Sequence, residues 1–515
     1  MSRTVNSLKN IKYSLVGQMF SILANFVTRM VFVKVLSAEY LGINGLFTNI
    51  LSILSFAELG IGPAIVYSMY KPLADRDVKL LKGLMRLYKR AYVTIGIIIL
   101  TLGLFLTPFL NIFIRDMPNI GKIEFIYLLF VVNTASSYFF SYKRSFLIAD
   151  QKKYIDSLYS YFFLVVRNII QIFILLITRN FIMYLGIQIV ITFIENLTLS
   201  RKVDKMYPYL KDDKGTFVNK SVKREIFKNI KAMVLHKMGS VVVMGTDNLI
   251  ISKFIGIVEV GLYSNYLLII NALKQVFNVI FQSMIASIGN LGATETSKKN
   301  EFVFRCIDFL GLWIYGFASI ALITLFNPFI KLWLGEGYLF SINIVLLIVV
   351  SFYLTGRRRS VLTFRDALGL FWYDRYKPIF ESIINLSVSI VLVKLIGFEG
   401  VILGTIISTL STSFWVEPFV LYKHGFNSSM LLYLVRYIIW TGVIIFIGIF
   451  NFWLTSFLGD TFIDFIEKVF ITALVPNFLI IIIFWRTKEF QYLFGIIKQM
   501  LEKYTKKKDF KLKRY

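Results

Sequence analysis

The chain has 515 residues, is 57% hydrophobic and carries 57 Lys/Arg against 30 Asp/Glu, a net charge of +27. A mean hydropathy of +0.69 and apolar stretches at 94–110, 341–354 and 467–485 exclude a soluble globular domain and indicate an integral membrane protein. The single cysteine, Cys306, excludes an internal disulfide, and two histidines leave no zinc or haem constellation.

In chain order, the polar and basic start MSRTVNSLKNIKYSLVGQ runs directly into a full-length span, so no cleavable signal peptide is expected. Fourteen helical spans follow, near 12–36, 42–69, 91–113, 124–148, 157–178, 181–199, 230–252, 260–290, 303–327, 339–371, 376–395, 398–421, 430–455 and 463–485. Basic residues concentrate in alternate loops (70–90, 143–156, 201–231, 292–305 and 365–377), whereas 37–41, 178–180, 254–259 and 456–462 are short and nearly free of them. This is the positive-inside pattern, which puts both termini in the cytoplasm and explains the net charge without nucleic acid. The tail from Arg486 to Tyr515 holds ten Lys/Arg against three acids, a composition that attracts anionic lipids at about 1 kcal/mol per charge.

Segment 75–90 places Val78, Leu81, Met85 and Tyr88 on one helical face, with Lys79, Lys82, Arg86, Lys89 and Arg90 on the others. It reads as an interfacial amphipathic helix, or as a helical extension that anchors its loop. A parallel repeat runs through the first twelve spans. An offset of 219 pairs Lys34 with Lys253 and Gly42 with Gly261; one of 218 pairs Phe146, Ala149 and Asp156 with Phe364, Ala367 and Asp374. The expected architecture is all-α: two six-helix lobes around a central cavity, plus two appended C-terminal helices. The expected boundaries are 1–205 and 206–425 for the lobes, 426–490 for the appended pair and 491–515 for the basic tail.

Motifs that would mark an enzyme are missing. The sequence has no Walker A, HExxH, CxxC or GxSxG pattern. The DRD at Asp75–Asp77 resembles a metal-binding DxD, but in a short basic loop it reads as a capped helix start. No large outer domain is expected, which weighs against a polysaccharide polymerase or transferase.

Lone ionisable residues inside the spans carry the functional signal. A charge at the bilayer centre costs roughly 3 kcal/mol on insertion scales, so such groups usually face a wet cavity or a partner. Helix rise puts Lys274 about 20 Å below the outer face and Arg167 about 15 Å down, with Arg29 shallower. Arg29, Arg167, Lys274, Arg357, Arg358 and Lys237 are the candidate cavity cations, and Glu58 and Asp247 are candidates for neutralising them or carrying ions. Arg357, Arg358 and Arg359 point about 100° apart, so only part of the triplet can line a cavity. Lys143, Arg144, Arg365 and Arg436 are close enough to the cytoplasm to snorkel. His236 is open to a cavity or an interfacial role. Tyr159, Tyr263 and Tyr266 are candidates for stacking on sugars. A cationic, water-filled cleft suits a phosphate or pyrophosphate head group, because arginine presents a fork of donors to phosphate oxygens.

Two patches carry a family resemblance. FAELGIGPAIVYSMYKPLADRD (Phe56–Asp77) resembles the second-span signature of bacterial oligosaccharide flippases that export capsule, O-antigen or teichuronic-type units. GTDNLIISKFIGIVEVGLYSNYLLI (Gly245–Ile269) is similar to the start of their second lobe. These flippases belong to the multidrug/oligosaccharidyl-lipid/polysaccharide exporter superfamily. The resemblance implies an alternating-access carrier in the bacterial cytoplasmic membrane, not an enzyme. It would flip an undecaprenyl-pyrophosphate-linked oligosaccharide to the outer leaflet, without a cofactor, and work beside a polymerase and chain-length proteins of the same pathway. H⁺ or Na⁺ coupling through Glu58 or Asp247 is an expectation. The alternatives are a lipid II flippase, a cation-coupled multidrug exporter and a polysaccharide polymerase. Deep cations disfavour a cationic drug as cargo.

Overall fold

A computed structural model of the chain describes residues 3–58, 61–118, 120–210, 218–220, 222–224, 226–227, 230, 245–496, 498–499 and 502. Much of the expected seventh span, the centre of the long basic loop and the end of the tail lie outside them. All regular structure among the described residues is helical.

Fourteen helices, together with the helical segment 245–254, organise the described residues. They are α1 (Arg3–Val35), α2 (Ala38–Leu54), α3 (Ile61–Asp75), α4 (Val78–Leu106), α5 (Ile123–Ala149), α6 (Lys153–Thr178) and α7 (Phe181–Met206). After the basic loop come α8 (Ile257–Thr294), α9 (Ser297–Leu334), α10 (Ile342–Ala367) and α11 (Lys377–Ile396). The last three are α12 (Phe398–Phe426), α13 (Leu431–Thr455) and α14 (Phe462–Phe484). Eleven helical stretches among the described residues are long and apolar enough to cross a membrane.

The expected spans outside that set have physical reasons to be there. Span two is not one helix: α2 tightens into a 3₁₀ turn at Ser55–Glu58 before α3 begins. Span ten is continuous as α10, but Arg357, Arg358, Arg359, Arg365 and Asp366 make its second half strongly charged. Most of span seven falls outside the described residues; 245–254 is helical.

The chain divides into two compact units, one of Met1–Asn265 with Val393–Gly397, the other of Tyr266–Leu392 with Phe398–Tyr515. The division falls inside α8, whereas the sequence suggests 205/206, because residues 245–265 pack into the first unit.

In the first unit α1 packs along α6, and α5 packs against α4 and α7. Gly17 lets the Tyr161 ring lie where a Cβ would stand, which brings α1 and α6 close. Asp77 caps α4 by accepting the Leu80 amide at 2.9 Å. Segment 78–90 is therefore the first three turns of α4, and Leu81, Met85 and Tyr88 are buried in the protein core instead of resting on lipid. Gly42 and Gly261, the repeat-paired glycines, meet each other. Each is the fifth residue of its helix; a Cβ at Gly42 would land on the Ile257 carbonyl oxygen, and one at Gly261 on that of Ala38. Only glycine permits so close a backbone approach.

In the second unit α9 is the hub, packing against α10, α13 and α14. Phe309 and Leu312 of α9 share a core with Trp440 and Ile444 of α13 and Ile480 and Phe484 of α14. The expected C-terminal pair, α13 and α14, packs on this unit through α9. A capping box of Thr461 and Asp464 starts α14. Helix α12 relaxes into π turns at Thr409–Ser413 and Leu421–Phe426, on either side of Pro418, which lacks a backbone donor.

The repeat is visible in local structure as well. Helices α5 and α10 end on the paired alanines, Ala149 and Ala367. Each end is closed by the same bond: the Asp150 amide to the Phe146 carbonyl at 3.0 Å, and the Leu368 amide to the Phe364 carbonyl at 2.9 Å. Asp156 accepts from Arg144 at 2.9 Å, and its repeat mate Asp374 accepts from Arg365 at 2.6 Å.

Candidate substrate site

Two of the predicted cations converge in the first unit. Arg29 on α1 donates from Nη1 to the Ser264 hydroxyl at 3.0 Å. Arg167 stands on α6, next to Asn168, whose side-chain amide donates to Asn25 of α1 at 3.2 Å. The Tyr184 hydroxyl of α7 is within electrostatic reach of both guanidinium groups. Tyr184 is held in turn by Phe32, ring to ring at 5.4 Å, and by Gln171, which donates to its backbone carbonyl at 3.2 Å. Neither arginine forms a salt bridge to a carboxylate among the described residues. Two positive charges on adjacent spans without a carboxylate partner among the described residues repel each other, and an anion placed between them would relieve that repulsion.

The two predicted acids lie elsewhere in the same unit. Glu58, in the 3₁₀ turn after α2, is within electrostatic reach of the Tyr92 and Tyr138 phenols. Asp247, in the helical segment 245–254, is near Tyr263. Lys237 and His236 lie outside the described residues.

In the second unit Lys274 is a partly exposed residue of α8. Its face of the helix also carries Phe277 and Phe281, which pack on Tyr315 with centroids 5.2 and 6.1 Å away. The arginine triplet of α10 splits three ways. Arg357 is fully buried: Nη2 donates to Asp308 Oδ2 at 3.1 Å, Nη1 donates to the Asp308 carbonyl, and its guanidinium stacks 5.0 Å from the Tyr437 ring. Arg358 clamps Glu417 through Nε at 3.1 Å and Nη2 at 2.7 Å, and Glu381 through Nη1 at 3.1 Å. Lys377 joins the same two carboxylates. Both arginines expected to line a cavity are thus engaged in helix-to-helix ion pairs. Arg359 differs: it is partly exposed, near Tyr315, and has no carboxylate partner among the described residues.

The residues expected to snorkel are mostly paired instead. Lys143 donates to both Asp204 oxygens, at 2.7 and 2.8 Å, and to Ser200 at 2.7 Å. Arg144 joins Asp156 of α6 to Glu195 of α7, with Ser160 and Asn196 completing its donors. Arg365 holds Asp374 and Asp366, and Arg436 packs over Trp440 at 5.2 Å. Each unit therefore ties three consecutive spans with one arginine and two carboxylates: Arg144 with Asp156 and Glu195, Arg358 with Glu381 and Glu417. Such clusters make each unit stiff, because losing one partner leaves a buried charge uncompensated.

Two proposed sugar platforms are structural. Tyr266 is buried, donates to Asn327 at 2.7 Å, accepts from the Phe340 amide at 2.9 Å and packs on Phe326. Tyr159 packs against the core of the first unit. Tyr263 is buried too, though near Asp247. The sequence reading missed Tyr184, which nothing distinguishes among 28 tyrosines. It also missed the lone acids Asp308, Glu381 and Glu417, whose presence in apolar spans was a usable signal for where Arg357 and Arg358 would go.

Residues 7–286, just over half of the chain, match the family described as polysaccharide biosynthesis protein. The chain belongs to this family. No curated protein matches it. Solved structures share the fold at low identity. The chain is similar to the lipid II flippase MurJ in an inward closed conformation, with a TM-score of 0.60 and 16% identity over 92% of this chain and 99% of that one. It is similar to a multidrug resistance MATE family transporter of the MOP superfamily in an inward-facing conformation, with a TM-score of 0.59 and 16% identity over 79% of this chain and 97% of that one. A mutant of the Vibrio cholerae MATE transporter VcmN gives a TM-score of 0.55 and 12% identity over 82% of this chain and 97% of that one. This polysaccharide biosynthesis protein thus has the all-helical, multi-pass fold of that superfamily.

Proposed function

We propose that this protein is a transporter, not an enzyme, and that it flips a polyprenyl-pyrophosphate-linked oligosaccharide from the inner to the outer leaflet of the bacterial cytoplasmic membrane for surface polysaccharide synthesis. The observation that carries the reading is the convergence of Arg29 and Arg167 around Tyr184, without a carboxylate partner among the described residues, in a polysaccharide biosynthesis family member. The two guanidinium groups would fork onto the pyrophosphate oxygens, with Tyr184 as a further donor. Lys274 and Arg359 are the corresponding candidates in the second unit, and Lys237 stays a candidate on sequence grounds. Arg357, buried, and Arg358, partly buried, serve the second unit as ion-paired struts. The polyprenyl chain would remain in lipid while the charged head crosses by alternating access. An inside-negative potential favours outward movement of an anion by about 2.3 kcal/mol per charge per 100 mV. Glu58 and Asp247 are the candidates for coupling H⁺ or Na⁺.

A lipid II flippase is the second reading, favoured by a structural match to MurJ that extends over more of the chain than the matches to the multidrug transporters. A cationic drug as cargo is disfavoured, since it would meet Arg29 and Arg167 at its binding site.

The test is translocation by the purified chain in proteoliposomes, scored by enzymatic access to the sugar of a pyrophosphate-linked lipid. Protein-dependent exposure of a polyprenyl-pyrophosphate oligosaccharide, faster than that of lipid II, is expected, with no transport of a cationic dye. Dye transport without movement of either lipid would overturn the reading.

A further inference from the structure

A cavity of about 690 Å³ opens in the second unit where α12 ends and α13 begins. Both helices are long and apolar enough to cross a membrane, so the turn that joins them, residues 427–430, stands at a membrane surface. The sequence sets that turn. Asn427 takes the left-handed conformation at φ 54°, which asparagine tolerates better than most residues. The Ser428 amide then closes back on the Tyr422 carbonyl at 3.1 Å.

The cavity has a polar rim and an apolar wall. Lys423, Asn427 and Ser429 stand on the rim, and all three are exposed. Lys423 forms no salt bridge among the described residues, and its ammonium lies 5.3 Å from the centre of the Phe419 ring, one turn earlier on α12. Ser429 accepts the Leu431 amide at 3.3 Å, which leaves its hydroxyl proton for another acceptor. The neighbouring hydroxyl of Ser428 is taken, since it donates to Glu301 of α9 at 3.0 Å. Phe419, Leu431 and Leu434 form the apolar wall. Phe419 and Leu431 are exposed, and Trp415, Val435 and Ile438 continue the exposed apolar surface of the two helices away from the turn. The frame is firm. Tyr422 is buried and packs on Tyr433 of α13 with ring centres 5.7 Å apart, and Tyr373 stacks on His424 at 3.9 Å.

From this arrangement we infer that the cavity binds an anionic phospholipid of the adjacent leaflet, with its phosphate at Lys423 and one acyl chain along Phe419, Leu431 and Leu434. The lysine ammonium is a point-charge partner for a phosphate, and Asn427 and Ser429 add neutral donors beside it. The wall is continuous with the apolar surface of two spanning helices, which matches an acyl chain. A soluble phosphate compound would leave that wall in water. The volume falls within the roughly 300–1,000 Å³ of ligand pockets, more than a bare phosphate fills.

The experiment places the full chain in nanodiscs of phosphatidylcholine doped with a phosphatidylglycerol that carries a diazirine on one acyl chain. After irradiation, lipid adducts are mapped on peptides. Adducts are expected within residues 415–438, competed by unlabelled phosphatidylglycerol but not by further phosphatidylcholine or inorganic phosphate. K423Q should lower their yield about fivefold, the factor equivalent to the roughly 1 kcal/mol that one basic residue contributes near an anionic surface. K423R should keep it. Adducts elsewhere on the chain should be unchanged in K423Q, which separates loss of this site from loss of folding. The inference is overturned if no adducts fall in this segment, if phosphatidylcholine competes as well, or if K423Q leaves the yield unchanged. Displacement by inorganic phosphate would overturn it too, by assigning the rim to a soluble anion.

Discussion

Cells that depend on this protein should lose surface polysaccharide roughly ten- to a hundredfold when Arg167 or Arg29 is replaced by glutamine, the effect of losing a charged hydrogen bond worth about 1.5–3 kcal/mol. Protein abundance should stay near normal. Neither side chain forms a salt bridge among the described residues, so removing its charge strands no buried carboxylate among them. Arg167→Lys should retain part of the activity, because charge survives while the donor fork is lost. Quantifying polysaccharide against immunoblotted protein separates this from a folding defect. If both glutamine variants export normally, Arg29 and Arg167 do not hold the substrate.

The second large effect is on stability. Asp308→Asn is expected to destabilise the second unit by about 3–5 kcal/mol, because it leaves Arg357 as an uncompensated charge in a closed site. Arg357 has no exposed side-chain surface, and Asp308 has only 1%. Glu417→Gln should act similarly, since Arg358 and Lys377 both rest on that carboxylate. Replacing both partners, as in Asp308→Leu with Arg357→Met, should recover most of the loss by removing both charges together. The unfolding midpoint of the purified protein checks this. Equal damage from the single and double replacements would mean that the pair is not what holds α9 to α10.

How much of this was legible in the sequence depended on the kind of signal. Apolar runs of bilayer length mark the spans reliably, because nothing but a membrane or a core accommodates them. Two interruptions were less visible. The break of span two at Ser55–Glu58 carries no proline or glycine at the turn itself, and the π turns of α12 depend on how neighbouring helices pack. The repeat was readable at Gly42 and Gly261, although their direct contact was not, since an offset gives equivalence without distance.

Charge was harder to assign than position. Depth along a helix follows from rise per residue, so Arg167 and Arg357 looked alike as cations inside apolar spans. What separates them is whether a carboxylate on a neighbouring helix faces them, and that is a property of tertiary packing. Asp308 neutralises Arg357 and Glu417 neutralises Arg358, whereas Arg167 is within electrostatic reach of Tyr184 and has no carboxylate partner among the described residues. Counting lone acids in the spans would have narrowed the triplet to Arg359. Lys143 and Arg144 read as surface-seeking for the same reason, yet their partners sit on α6 and α7.

The most direct measurement is binding of a short-chain polyprenyl pyrophosphate to the detergent-purified protein, with and without R29Q and R167Q together. The convergent arginines predict saturable binding that weakens with salt, as expected of an electrostatic contact. They also predict a loss of at least about tenfold in affinity for the double variant, consistent with removal of charge-assisted hydrogen bonds. Equal affinity in the two proteins would contradict the assignment of Arg29 and Arg167 to the anionic head group.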